Sequence, residues 1–420
     1  MNFSIDQERL NREINTLAGF SADQAPAVTR VVFSEQDLTA RAWLQDRCSE
    51  AGLSMREDAA GNTFFRWTGT EPSLPAVCTG SHIDAIPHAG KYDGTVGVLG
   101  GLEAIRALQA SAFAPRRSIE LLLFTAEEPT RFGLGCLGSR LISGTLDPAA
   151  DTSLRDPSAA DDPAQQTLEA IRKNAGFTGS LESVVLPKSH YSAFVELHIE
   201  QGPILEKENI ALGLVTYIAA PASFRIEIEG EGGHAGARLM PGRRDALCTA
   251  SEIILAIEQS VLSTGAIDTV GTVGICQVHP GASNSIPSRV QLVVDLRDID
   301  AARRDGVLDQ IRQACGKIAQ QRKVVVKIEM INADAPAQCS PEILTALKAA
   351  CDAEDLSHRE MVSRAYHDTL FMARIAPVAM LFIPCRAGVS HRPDEYSSPE
   401  QIGNGVRVLA RTLATLSRIE

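Results

Sequence analysis

Four short apolar runs, each leading into a cluster of histidines and acids, constrain the fold of this chain most. They are residues 75–79, 119–124, 194–197 and 378–383. Runs this short, with little polar alternation, fit strands covered on both faces, as in a parallel sheet between helix layers. A Gly-rich start and a helical pattern at 94–108 separate the first two. Helical spacing also relates Ile5, Leu10, Ile14 and Leu17, and again Leu38, Ala42, Leu44 and Cys48. Strands alternating with helices predict an α/β domain whose mostly parallel mixed sheet is flanked by helices. Residues 145–190 are polar and read as peripheral, with one short helix near 164–173.

The pattern changes after Leu212. Residues 224–229, FRIEIE, alternate as a half-exposed antiparallel strand does. A helix at 244–262, strands at 269–278 and 289–297, a helix at 301–321 and a strand at 324–330 follow. That order is the split βαβ, or ferredoxin-like, α+β sandwich. A chain of 420 residues is long for one core. We therefore expect a discontinuous main domain, 1–212 and 331–420, with a smaller domain, 213–330, inserted into it. Helices at 341–353 and 399–416 and the strand at 378–383 complete the main sheet.

The formal charge of −12 excludes a basic nucleic-acid footprint, and no Lys/Arg run suggests an anionic membrane partner. The nine cysteines are odd in number and form no C-x-x-C pair, so a reducing cytoplasm is expected rather than a disulfide framework. The N-terminus lacks the layout of a signal peptide, and no apolar run approaches the ~20 residues that cross a bilayer.

Chemistry concentrates at the ends of the four runs. His82 follows the first, Asp84 stands two residues on, and Asp93 precedes a Gly-led helix start. If the chain stays extended, Asp84 shares a side with His82 and suits a carboxylate that orients its imidazole. A strand-end His and a turn Asp are the competing reading. Glu127 and Glu128 close the second run. Adjacent extended residues point opposite ways, so one carboxylate can hold metal while the other works as a general base. An isolated Glu-Glu is more often a solvated loop pair. His198 ends the third run and His391 follows the fourth. Either alone is more often structural; together with the acids they form a ligand set suited to Zn²⁺, Mn²⁺ or Co²⁺.

These stretches carry a family resemblance. GSHIDAIPHAGKYDGTVGVLGGLEAI, FTAEEPTRFG, ELHIEQGPILE, GGHAGARLMPGRRDAL, NSIPSRV…DLRDID and GVSHRPDEYSSPE resemble M20-type metallohydrolases of the hydantoinase/carbamoylase amidase branch. That branch includes N-carbamoyl-L-amino-acid hydrolases and allantoate amidohydrolases. SRAYHDTLFMARIAP and FIPC are more similar to its ureidoglycolate-cleaving members. Where carbamoylases carry Thr-Thr-Pro-Met and Gly-Ala-Gly runs, this chain has Ala237-Arg238-Leu239-Met240 and Arg364-Ala365-Tyr366.

The resemblance implies two divalent ions, Mn²⁺ or Zn²⁺ with Co²⁺ possible, and hydrolysis of a C–N bond in a small ureido or carbamoyl substrate that bears a carboxylate. His82 and His198 would hold one ion, Glu128 and His391 the other, and Asp93 would bridge them. Glu127 would be the general base and Asp84 the orienting acid. Gln201, His234, Asn284 and Arg297 would hold substrate. An ion pair of Arg297 with Asp295 or Asp298 competes with that role. His367 is expected near substrate and metals, with Asp368 beside it or capping a helix. The inserted domain would act as a lid and join a homodimer. Ureidoglycolate is the expected substrate; an N-carbamoyl-L-amino acid or allantoate is the alternative. A metal-free binding relative and an aminopeptidase are the remaining alternatives.

Overall fold

The computed structural model describes residues 3–419. The chain clusters into two compact units. One comprises Met1–Thr216, Gln338–Met361 and His367–Glu420; the other comprises Tyr217–Ala337 and Val362–Tyr366.

The first unit is a mixed α/β structure around one sheet. Its order is Ala337–Gln338, Leu212–Ile218, Val378–Ile383, Tyr191–Ile199, Ala76–Ser81, Ile119–Leu123, Thr63–Trp67 and Ser54–Glu57, and His358–Ser363 also pairs with Leu212–Ile218. The middle four strands, Val378–Ile383 to Ile119–Leu123, are parallel, and Leu212–Ile218, Thr63–Trp67 and Ser54–Glu57 pair antiparallel. Every residue of Ile119–Leu123 and Val378–Ile383 is buried, which explains their unbroken apolar sequence. Helix Thr95–Ala110 packs close to this sheet: a Cβ on Gly97 would stand 2.5 Å from the Leu197 carbonyl oxygen. Helix Pro399–Leu416 starts at a capping box of Ser398 and Gln401 with proline in its first turn.

The second unit has a four-stranded antiparallel sheet ordered Val270–His279, Arg289–Asp298, Ala220–Glu229 and Val325–Ala333. Strand Arg289–Asp298 alternates buried and open positions. Its buried Val290, Leu292 and Val294 join a core with Ile253 and Ile257 of helix Ala246–Leu262 and Ile311 of helix Ala301–Arg322. Asp245 and Asp300 cap these helices.

The unit boundaries fall at 216/217 and 337/338, later than the expected 212/213 and 330/331, and Val362–Tyr366 clusters with the second unit. The reason is local: Gly213, Leu214 and Val215 are already paired with Phe382, Leu381 and Met380 of the first sheet. No helix among the described residues is long and apolar enough to cross a membrane.

Candidate metal centre and active site

The parallel strands place their carboxyl ends along one edge, where an open α/β sheet offers its binding groups. His82 follows strand Ala76–Ser81, and His198 is the penultimate residue of Tyr191–Ile199. Glu127 and Glu128 lie just beyond Ile119–Leu123, and His391 lies beyond Val378–Ile383.

Asp93 stands at the middle. Its Oδ1 is 3.0 Å from His198 Nε2 and 3.5 Å from His82 Nε2. Its Oδ2 is 3.4 Å from His391 Nε2, and that nitrogen is 3.3 Å from Glu128 Oε1. Two groups of potential ligands thus share one carboxylate: His82, Asp93 and His198, and Asp93, Glu128 and His391, each with donor atoms within 4.8 Å of one another. The other ring nitrogens are tied back. His82 Nδ1 lies 3.0 Å from the Asp84 carbonyl and His198 Nδ1 2.9 Å from the Ile199 carbonyl. Each therefore carries a proton on Nδ1 and turns Nε2 inward, the atom a cation would meet. Buried acids and imidazoles in this arrangement fit a cation by donor type.

Gly94 makes room for the cluster. Its φ is +63°, and a Cβ there would lie 2.5 Å from the His82 ring. Gln201 and His391 themselves adopt left-handed backbone angles, φ 54° and 58°. Such strain in non-glycine residues is held in place only where surrounding contacts demand it.

The electrostatics follow from crowding. Burial would depress His82, but Glu127, Asp93 and Asp84 outweigh it and hold the imidazole well above its usual value. Burial would raise Asp93, yet the charge and contact of His198, with His391 and His82, carry it well below the carboxylate range. Burial, with Glu128 and other acids nearby, raises Glu127 well above the usual value. Burial and then Asp93 raise Glu128 to about 7, and the contact with Asp93 raises His391 to about 9. The His391 side chain is 46% exposed against 2% for His82, so the cluster opens to solvent at its His391 end.

Glu127 lies against the cluster, with Oε2 3.6 Å from His82 Nε2 and Oε1 3.4 Å from the Cys136 thiol. Gln201 donates from Nε2 to Asp93 Oδ2 at 2.6 Å, and its Oε1 is buried without a partner. His367 is buried, its ring centroid 4.4 Å from that of His198, so it packs against a potential ligand. Asp368 accepts from Ser139 and opens helix Asp368–Met372 without capping it.

Asp84 departs from its expected geometry. Its carboxylate accepts the backbone N–H of Glu127 at 3.3 Å and of Glu128 at 3.0 Å, and stays 3.7 Å from His82 Nδ1. The carbonyl, not the side chain, orients His82. Strand Ala76–Ser81 ends before His82, so the extended alternation assumed for Asp84 does not continue.

His234, Asn284 and Arg297 belong to the second unit. Strand Gly233–His234 pairs with Ser285–Ile286, and Ala235 N–H donates to the Asn284 carbonyl at 2.8 Å, so His234 and Asn284 are neighbours. His234 Nδ1 accepts from Gly236 and Ala237 N–H at 3.1 and 3.2 Å, which leaves its proton on an exposed Nε2. Arg297 is forked onto Asp295 at 2.7 and 3.3 Å and donates to the Arg364 carbonyl, so the competing ion pair is formed.

Sequence reasoning missed three groups here: Ser390, Glu395 and Cys136. Ser390 and Glu395 lie in the same GVSHRPDEYSSPE stretch as His391, and that adjacency was the available signal. Cys136 carries no motif; only the fold brings it to Glu127.

Comparisons with known proteins give the chain's relatives. The profile of peptidase family M20/M25/M40 matches residues 78–415. A ureidoglycolate hydrolase of Arabidopsis thaliana is 52% identical over 423 residues, 99% of this chain and 88% of that protein. An N-carbamoyl-L-amino-acid amidohydrolase of Paenarthrobacter aurescens is 36% identical, covering 98% of both. A crystal structure of AtUAH in complex with glyoxylate superposes with TM-score 0.88 at 51% identity, covering 99% of each chain. With its motifs in order and the family profile spanning most of its length, the chain belongs to peptidase family M20/M25/M40, whose members are metal-dependent.

Proposed function

We propose that this hydrolase of non-peptide C–N bonds cleaves ureidoglycolate to glyoxylate, ammonia and carbon dioxide, in purine breakdown by way of allantoin. The observation that carries the reading is the Asp93 carboxylate shared by two ligand groups, one oxygen towards His82 and His198 and the other towards His391. The 52% identity to a ureidoglycolate hydrolase supports the choice of substrate.

We propose two divalent ions, of Mn²⁺, Zn²⁺ or Co²⁺, held by His82, Asp93 and His198 on one side and Asp93, Glu128 and His391 on the other. Such a pair, when bound, lowers the pKa of a water from ~16 towards ~7 and polarises a carbonyl. Glu127 takes the proton of the attacking water at Oε2 and delivers it to the leaving nitrogen. The carboxylate of Asp84 fixes the backbone of Glu127 and Glu128 while its carbonyl sets the His82 tautomer. Gln201 Oε1, buried and unpaired, accepts from a substrate N–H.

The second unit is proposed as a ferredoxin-like lid. His234 donates from Nε2 to the developing oxyanion, an effect of ~3 kcal/mol by the size of comparable donors. Asn284 binds beside it, and Arg297 shares its fork between Asp295 and the substrate carboxylate. A homodimer through this unit is supported by exposed Leu255 and Leu262 and by the edge strand Val270–His279. All nine cysteines are unpaired, which supports a reducing, cytoplasmic setting.

Ammonia release from ureidoglycolate, allantoate and a panel of N-carbamoyl-L-amino acids tests the substrate. Turnover of ureidoglycolate well above the others is expected. A carbamoyl amino acid as the preferred substrate would replace this reading with the carbamoylase one.

A further inference from the structure

Glu395 is a buried acid that forms no ion pair among the described residues. A buried carboxylate beside another carboxylate is costly unless its oxygens are employed. Both are. Oε1 accepts the backbone N–H of Tyr92 at 2.8 Å and of Asp93 at 3.1 Å. Oε2 lies 3.0 Å from Ser390 Oγ, and that hydroxyl is 2.7 Å from Asp93 Oδ2. Gln201 reaches the same Asp93 oxygen and lies 3.3 Å from Ser390 Oγ.

The seat for Glu395 is built into the backbone. A Cβ at Gly90 would stand 2.4 Å from Glu395 Cβ, so only glycine admits the side chain there. Asp93 is consequently gripped at two points by one residue 302 positions away: its backbone directly, its outer oxygen through Ser390. A bridging carboxylate works only if both oxygens hold their directions, since a small rotation about its side-chain bonds favours one group of ligands over the other.

We infer that Glu395 is the positioning residue of the bridging carboxylate, acting on Asp93 through its backbone and through Ser390, and so setting how tightly the centre holds divalent ions. The inference rests on the dinuclear reading above.

The test is calorimetric titration of Mn²⁺ into chelator-stripped wild type, Glu395→Ala, Glu395→Gln and Ser390→Ala, alongside thermal unfolding of each stripped protein and steady-state kinetics. Outer contacts of metal ligands are worth about 10–100-fold in affinity. Glu395→Ala should weaken Mn²⁺ binding by about tenfold or more and lower kcat with KM little changed. Glu395→Gln keeps an oxygen for both backbone donors and an N–H for Ser390 Oγ, and should recover most of the affinity. Ser390→Ala cuts only the link to Oδ2 and carries the test if Glu395→Ala does not fold; it should weaken binding by about tenfold, the low end of that range. Wild-type affinity in Ser390→Ala or Glu395→Ala overturns the inference. So does a glutamine variant no better than alanine with equal losses of melting temperature, which would make Glu395 a plain loop anchor. Wild type that takes up no divalent ion removes the dinuclear reading itself, whereas a metal-binding wild type with indifferent variants removes only this inference.

Discussion

His198 Nε2 stands 3.0 Å from Asp93 Oδ1, with the imidazole held from behind by the Ile199 carbonyl. The other Asp93 oxygen faces His391. Asp93→Asn replaces one of these oxygens by an amide that cannot accept, so it should lose at least one ion of the pair and nearly all turnover. Metal content by plasma emission spectrometry checks this; wild-type stoichiometry in the variant contradicts the bridge.

Glu127 touches the Cys136 thiol and faces His82, yet Glu128 is the one within reach of His391. Glu127→Gln should therefore leave metal content near normal and lower kcat by about 10²–10⁴-fold. A variant with native kcat removes Glu127 as the base.

Metal uptake should release protons. Ligands bind ions when deprotonated. Glu128 is raised to about 7 by burial and Asp93, and His391 to about 9 by its contact with Asp93. Below pH 7 both carry protons that an incoming ion displaces; above pH 9 neither does. Affinity should rise as the pH is raised through 7 and 9. Titrations in buffers of different ionisation enthalpy read the proton count directly, and a pH-independent affinity contradicts the ligand assignment.

Arg297→Ala should raise KM more than it lowers kcat, because the fork is proposed to bind a carboxylate remote from the scissile bond. Asp295 already occupies that fork. Asp295→Asn frees it and should lower KM. An unchanged KM in Arg297→Ala sends the substrate carboxylate to another residue.

Asp84→Asn turns an amide N–H₂ towards the backbone N–H of Glu127 or Glu128, leaving one donor unpaired in a buried place. The expected loss is about 1–3 kcal/mol of stability, with lowered kcat. Chemical denaturation of the stripped protein measures the first effect. Loss of the His82 tautomer, read by NMR, should not occur, since the carbonyl holds it; finding it would restore the side chain as the orienting group.

What the sequence determined on its own was the set of elements buried on every side or along one regular face. Strands Ile119–Leu123 and Val378–Ile383 and helices Pro341–Ala353 and Pro399–Leu416 announce themselves because burial demands an unbroken or periodic apolar pattern. His82, Glu128, His198 and His391 were legible for the same reason: each stands at or beyond the end of a readable strand, and strand ends converge in an α/β sheet. Strand Ser54–Glu57 escaped notice because all four residues are exposed, so its place rests on pairing with Thr63–Trp67. Tertiary structure alone decided what Asp84 does, because strand Ala76–Ser81 stops before His82 and a side chain beyond a strand end has no fixed face. It alone joined Glu395 to Asp93 and Cys136 to Glu127, since hydrogen bonds between residues distant along the chain, or around a turn, have no period for a sequence to display.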